Sequence, residues 1–132
     1  MNYLKAFLIA LPIIVALDLV WIAGIMAKFY QTRLHDLLRF VDGSFTPRLW
    51  PTILTYICMI LLVILFAVPK GIEEGPMKGF VYGAVLGIVT YGLYNFTNLS
   101  IIEKWDPILA VVDTLWGGVI FGLTTLLVIL FI

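Results

Sequence analysis

Two aspartates, Asp18 and Asp113, stand inside otherwise apolar stretches, and each is followed three residues later by a tryptophan, Trp21 and Trp116. A third stretch holds Tyr91, Tyr94, Asn95, Thr97, Asn98 and Ser100, six side chains able to hydrogen-bond within ten residues. A carboxylate placed in hydrocarbon costs about 2.5–3.5 kcal/mol on insertion scales, so it faces the interior of a helix bundle and finds partners there. No Lys or Arg lies at the depth of either acid. Two carboxyls held close can share a proton, bind a cation or receive a polar headgroup. The same groups can instead glue helices together through Asn95, Asn98 or an indole N–H. A third possibility is capture of the acids by Arg33, Arg39 or His35, if the basic segment after the first apolar stretch folds back.

These side chains need elements to position them, and composition names the elements. Hydrophobic residues make up 63% of the 132 residues and charged residues 12%, with a mean hydropathy of +1.13. That balance belongs to an integral membrane protein. The formal net charge is zero, which gives no reason to expect nucleic acid as a partner. A bilayer core takes about 20 apolar residues per helix, and four stretches qualify: residues 3–26, 47–68, 77–99 and 107–132. The expected fold is an all-α, antiparallel four-helix transmembrane bundle forming a single transmembrane domain over 1–132. The first stretch runs past Asp18 to Met26, too long for the core of a signal peptide, and reads as a retained helix.

Between the first two spans, residues 28–39 mix Lys28, Arg33, His35, Asp36 and Arg39 with Phe29, Tyr30, Leu34, Leu37 and Leu38. That spacing predicts an amphipathic interfacial segment. Asp42-Gly43-Ser44 predicts a turn. Thr46-Pro47 and Asp106-Pro107 each read as a helix cap followed by proline at the first helical position. Trp50 reads as an interface anchor. Residues 69–76 read as a short polar turn that makes the second and third spans antiparallel neighbours.

Antiparallel packing brings the end of span one, the start of span two, the end of span three and the start of span four to one side. By helical rise Asp18 then lies about 12 Å inside its end and Asp113 about 9 Å inside its start. Asn95 lies at a similar depth, with Thr55 and Tyr56 of span two at the same level. In span three, Gly79, Gly83, Gly87, Tyr91 and Asn95 recur every four residues and share a face. The three glycines admit a close neighbour, and Gly118 and Gly122 are the expected facing pair. The half of the bundle around residues 60–68 and 123–132 is aliphatic and reads as structural.

Other residues carry less chemistry. Cys58 has no second cysteine to pair with, shows no metal-ligand spacing, and is expected to pack in the core. His35 reads as a solvated interfacial residue. No histidine–cysteine cluster, nucleophile elbow or phosphate loop occurs, so no metal and no cofactor are expected. Two matches to the glycosylation pattern at Asn95 and Asn98 lie too close to the bilayer to serve.

The order Asp18-x-x-Trp21, Phe29-Tyr30, Tyr91-x-x-Tyr94-x-x-Thr97-Asn98 and Asp113-x-x-Trp116-Gly117 resembles a bacterial family known as domain of unknown function 2177. The resemblance covers nearly the whole chain and implies a four-helix protein of the bacterial inner membrane. It implies no activity. Many members carry Asp where this chain has Asn95, so the cluster here holds less charge.

The expected site gathers Asp18, Trp21, Tyr91, Asn95, Asn98, Asp113 and Trp116. The first functional expectation is binding or transport of a small polar molecule, a proton or cation, or a lipid headgroup, by a homo-oligomer in the bilayer. The alternative is an accessory subunit whose polar cluster fixes helix packing and docks a partner membrane protein. A lipid-modifying membrane enzyme is the third reading, and catalytic residues are not assigned. Lys28, Arg33, Arg39, Arg48 and Lys104 fall on the polar side, against Lys5, Lys70 and Lys78 on the other. That excess places the polar side in the cytoplasm.

Overall fold

A computed structural model describes residues Met1–Ile132. Four of its helical stretches are long and apolar enough to cross a membrane: Tyr3–Ile25, Leu49–Glu74, Pro76–Ile101 and Pro107–Phe131. They pack antiparallel, as expected. The third has the lowest mean hydropathy, 1.2 against 2.1 to 2.6 for the others, because its glycines and its polar end replace aliphatic side chains. Most large apolar side chains of the outer surface are exposed, among them Leu8, Phe66, Val89 and Leu115. In a bilayer that exposure meets lipid.

Span one is the helix α1 (Tyr3–Leu19), continued by a wider π-helical turn over Val20–Ile25. Asn2 caps it by accepting the Lys5 N–H at 3.0 Å. Pro12 sits inside α1, and the helix continues through it. The short helix α2 (Ala27–Arg33) follows, and then a two-residue hairpin of β1 (Phe40–Val41) and β2 (Ser44–Phe45). Asp42 and Gly43 turn this hairpin with φ of 50° and 78°, the left-handed pair that tight hairpins favour. Tyr30 and Leu34 are buried against Leu109 at the start of span four. Burying a leucine contributes about 1.5–3 kcal/mol, so this contact holds the segment down onto the bundle.

Span two is α3 (Leu49–Leu62), a π-helical stretch over Val63–Ala67 and α4 (Val68–Glu74). Two expectations change here. Thr46 and Pro47 do not open the helix, because Thr46 is used by the hairpin: its N–H donates to Arg39 O at 2.9 Å and its hydroxyl to Ser44 O at 2.9 Å. The helix begins at Leu49 instead. Residues 69–74 are helical rather than a turn. Pro69 lies inside the continuous stretch Leu49–Glu74, where its missing N–H and its ring conflict with a regular helix. The π turn just before it resolves this, with Val68 N–H donating five residues back to Val63 O. Reversal is then left to Gly75 alone, at φ 109°.

Span three is α5 (Pro76–Ile101) and span four is α6 (Pro107–Phe131). Gly79, Gly83 and Gly87 are buried, as the four-residue repeat predicts. Their partners differ from the expected pair. Gly87 meets Gly117, Gly83 meets Phe121 and Thr125, and Gly79 meets Gly71 of α4. Gly118 and Gly122 lie instead against Ile88 and Phe80. The aliphatic half has a polar element after all, since Thr124 and Thr125 are fully buried. Thr125 donates to Phe121 O at 2.7 Å. Cys58, expected in the core, is exposed on the outer face, because the buried stripe of α3 runs through Met59 and Ile60.

Asp106 caps α6 as its sequence predicts, accepting the Leu109 N–H at 2.8 Å and pairing with Arg33 at 3.0 Å. Burial pushes its carboxyl up, but the Leu109 N–H and the Arg33 guanidinium outweigh this and hold it below the ordinary value of 3.8. A carboxyl held low in the fold adds stability above its unfolded value and loses it as pH falls through the folded one. Asp106→Ala should therefore cost about 1 kcal/mol at neutral pH. Unfolding midpoints of the two proteins should converge in acid below 3.8. A gap that persists there would mean that the carboxylate is not its source.

Candidate functional site

All four spans contribute to one polar layer. Asp113 of α6 lies at its centre. One carboxylate oxygen accepts the Asn95 amide N–H of α5 at 2.7 Å, and the other accepts the Tyr30 hydroxyl of α2. The Tyr30 oxygen in turn accepts the Trp21 indole N–H at 3.0 Å. Asn95 is fully buried and also donates to Tyr91 O at 3.0 Å. Both amide hydrogens are thus spent on acceptors, which fixes the amide's orientation and leaves Asn95 Oδ1 buried with no partner.

Asp18 of α1 forms a second set. Its carboxylate accepts the Tyr56 hydroxyl of α3 at 2.7 Å. No hydrogen bond joins the two aspartates. They are linked through their tryptophans, since the Trp21 and Trp116 rings stack face to face with centroids 4.4 Å apart and planes 2° from parallel. The two Asp-x-x-Trp motifs therefore meet as pairs from opposite ends of the chain. The π-helical turn at Val20–Ile25 carries Trp21, and such wide turns re-aim side chains where a helix serves a site. The buried Trp116 N–H is directed at Asp18, beyond the reach of a regular hydrogen bond.

Of the side chains singled out by sequence, Asp18, Trp21, Asn95, Asp113 and Trp116 come together here. Tyr91 borders the layer, its ring edge-on to Phe121 at 5.9 Å and its hydroxyl 4.0 Å from Met59 Sδ. Asn98 lies outside the bonded set, half-buried near the end of α5. Thr55 turns outward and donates to Pro51 O at 2.9 Å. The acids are not captured by the basic segment. Arg33 pairs with Asp106, and Arg39 donates to Thr46 O at 2.8 Å. His35 lies 3.5 Å from Asp36.

Tyr30 is the member that spacing alone does not single out. It reads as one more aromatic on an amphipathic segment, and only the fold of α2 back over span four turns its hydroxyl inward. The available signal was the motif order, in which Phe29-Tyr30 follows Asp18-x-x-Trp21.

Fold and site together define a helical integral membrane protein with four spans and a buried polar network between them. The family model described as Predicted membrane protein (DUF2177) matches residues 3–130, and the chain belongs to this family. Among curated proteins and among solved structures none matches it.

Proposed function

We propose that the Asp18–Asp113 layer binds a small polar species within the bilayer, a proton, a cation or the headgroup of a lipid. One observation carries this reading: two acids from different spans face neutral donors alone, beside a buried amide oxygen that has no partner. Intramembrane acids of this kind mark binding or translocation paths. Orphaned buried polar atoms mark a missing neighbour. The cation excess supports a cytoplasmic polar side, and the family resemblance supports a bacterial inner membrane. Self-association suits a bundle of this size, since four helices alone are thin for alternating access.

Asp113→Asn tests the reading by removing the charge while keeping the shape of the side chain. The new amide keeps an oxygen for Tyr30 and gives up the bond to the Asn95 amide N–H, which Tyr91 O continues to hold. The fold should survive while the charge is lost. Native mass spectrometry of gently purified wild type should show a small molecule or lipid that is lost in Asp18→Asn and Asp113→Asn. Equal retention by a folded variant would remove the hypothesis.

A second reading rests on the hydrogen bonds themselves. Each carboxylate joins its own span to another, Asp18 through the Tyr56 hydroxyl and Asp113 through the Asn95 amide, as a purely structural pin would. On that reading Asp113→Asn lowers stability or recovery of a partner protein, and no bound ligand changes.

A further inference from the structure

The five cations of the polar side are not equally engaged. Arg33 is paired with Asp106, Lys104 with Asp36 at 3.0 Å, and Arg39 with the Thr46 carbonyl. Lys28 and Arg48 carry no ion pair. Lys28 opens onto a pocket whose other walls are Gln31, Thr32, His35 and Phe40. Its polar walls offer an ammonium, an amide and a hydroxyl as donors, together with an imidazole whose Nδ1 lies 3.5 Å from Asp36 Oδ1. No carboxylate lines it. The nearest acid, Asp36, is turned to Lys104, whose hydrogen bond, joined by one from His35, holds that carboxyl below its ordinary value. Phe40 closes one wall and fixes the imidazole, the two rings lying 4.9 Å apart.

The position of this pocket is as telling as its lining. It lies on the segment directly after the last turn of span one, where Ile25 is 70% exposed and so faces acyl chains. An ammonium without an ion pair, grouped at headgroup level with an amide and a hydroxyl beside the Phe40 ring, suits a tetrahedral oxyanion. We infer that the pocket lined by Lys28, Gln31, Thr32 and His35 binds one phosphate-bearing anion at the membrane surface. This site is separate from the Asp18–Asp113 layer and does not depend on its function.

The test compares full-length wild type, Lys28→Gln, the double variant Lys28→Gln/His35→Gln, and Arg48→Gln. Arg48 is the internal control, an unpaired cation on the same side but outside the pocket. Each protein is placed in phosphatidylcholine nanodiscs with rising phosphatidylglycerol, and retained lipid is counted by native mass spectrometry. A parallel series in phosphatidylcholine alone receives inorganic phosphate. A single phosphatidylglycerol should be retained by wild type, with affinity falling about fivefold in Lys28→Gln, further in the double variant, and little in Arg48→Gln. Retention of inorganic phosphate without phosphatidylglycerol, lost in the same two variants, would assign the pocket to a soluble phosphate instead of a lipid. Equal losses in Lys28→Gln and Arg48→Gln, or no loss in the double variant, would overturn the inference.

Discussion

Gly87→Ala is expected to lower the stability of the bundle by about 3 kcal/mol, the upper part of the range for overpacked interiors. A β-carbon on Gly87 would occupy the space of the Gly117 carbonyl and crowd the Phe121 side chain. That obstacle is backbone, not a side-chain end that can swing aside. The helices α5 and α6 must separate to admit the methyl group, and membrane helices held by close packing lose their contact energy steeply as they part. Gly24→Ala supplies the control, since nothing lies within 4 Å of the position its β-carbon would take. Reversible unfolding in mixed micelles should show a large loss for the first variant and none for the second. Similar midpoints for both would mean that the approach at Gly87 is not limiting.

Asp113→Ala should cost about 3 kcal/mol, because buried donors are left without an acceptor. Two donors from different elements, the Tyr30 hydroxyl and the Asn95 amide, lose their acceptor together, and each buried donor left unpaired adds about 1–3 kcal/mol. By contrast, a side-chain hydrogen bond between membrane helices contributes about 0.6 kcal/mol on average. Tyr56→Phe, which removes one such bond to Asp18, should therefore be far milder. Combining Tyr30→Phe with Asp113→Ala closes a double-mutant cycle. The pair should couple by more than about 0.5 kcal/mol. Strict additivity would show that this segment is held by the burial of Leu34 against Leu109 and not by this contact.

Much of this site was legible from spacing. Two acids at matched depths, a four-residue glycine repeat leading to Asn95, and a tryptophan one turn from each acid suffice to predict a shared layer. What spacing could not supply was register. Sliding α6 along α5 by one residue exchanges Gly118 for Gly117 as the neighbour of Gly87, and both choices look alike in sequence because the glycines are adjacent. Tyr30 and Cys58 fail for a related reason. Which face of a uniformly apolar or mixed segment turns inward is decided by its neighbours, and apolar residues surround Cys58 on all sides in sequence. The run from Pro69 to Glu74 reads as a turn because proline, glycine and charge cluster there. It stays helical because a π turn absorbs the proline.

The pairing of Asp18 with Tyr56 and of Asp113 with Tyr30 and Asn95 also orders events during synthesis, when N-terminal segments arrive first. Asp18 enters the bilayer with span one and must wait 38 residues for its hydroxyl donor. Until then it stands as an unpaired acid in an otherwise apolar helix. Asp113 enters last, 83 residues after Tyr30 and 18 after Asn95, and meets both donors already in place. The early chain is therefore the vulnerable one. Nascent chains halted before span two should be the ones that quality-control proteases remove, while chains halted after span three persist.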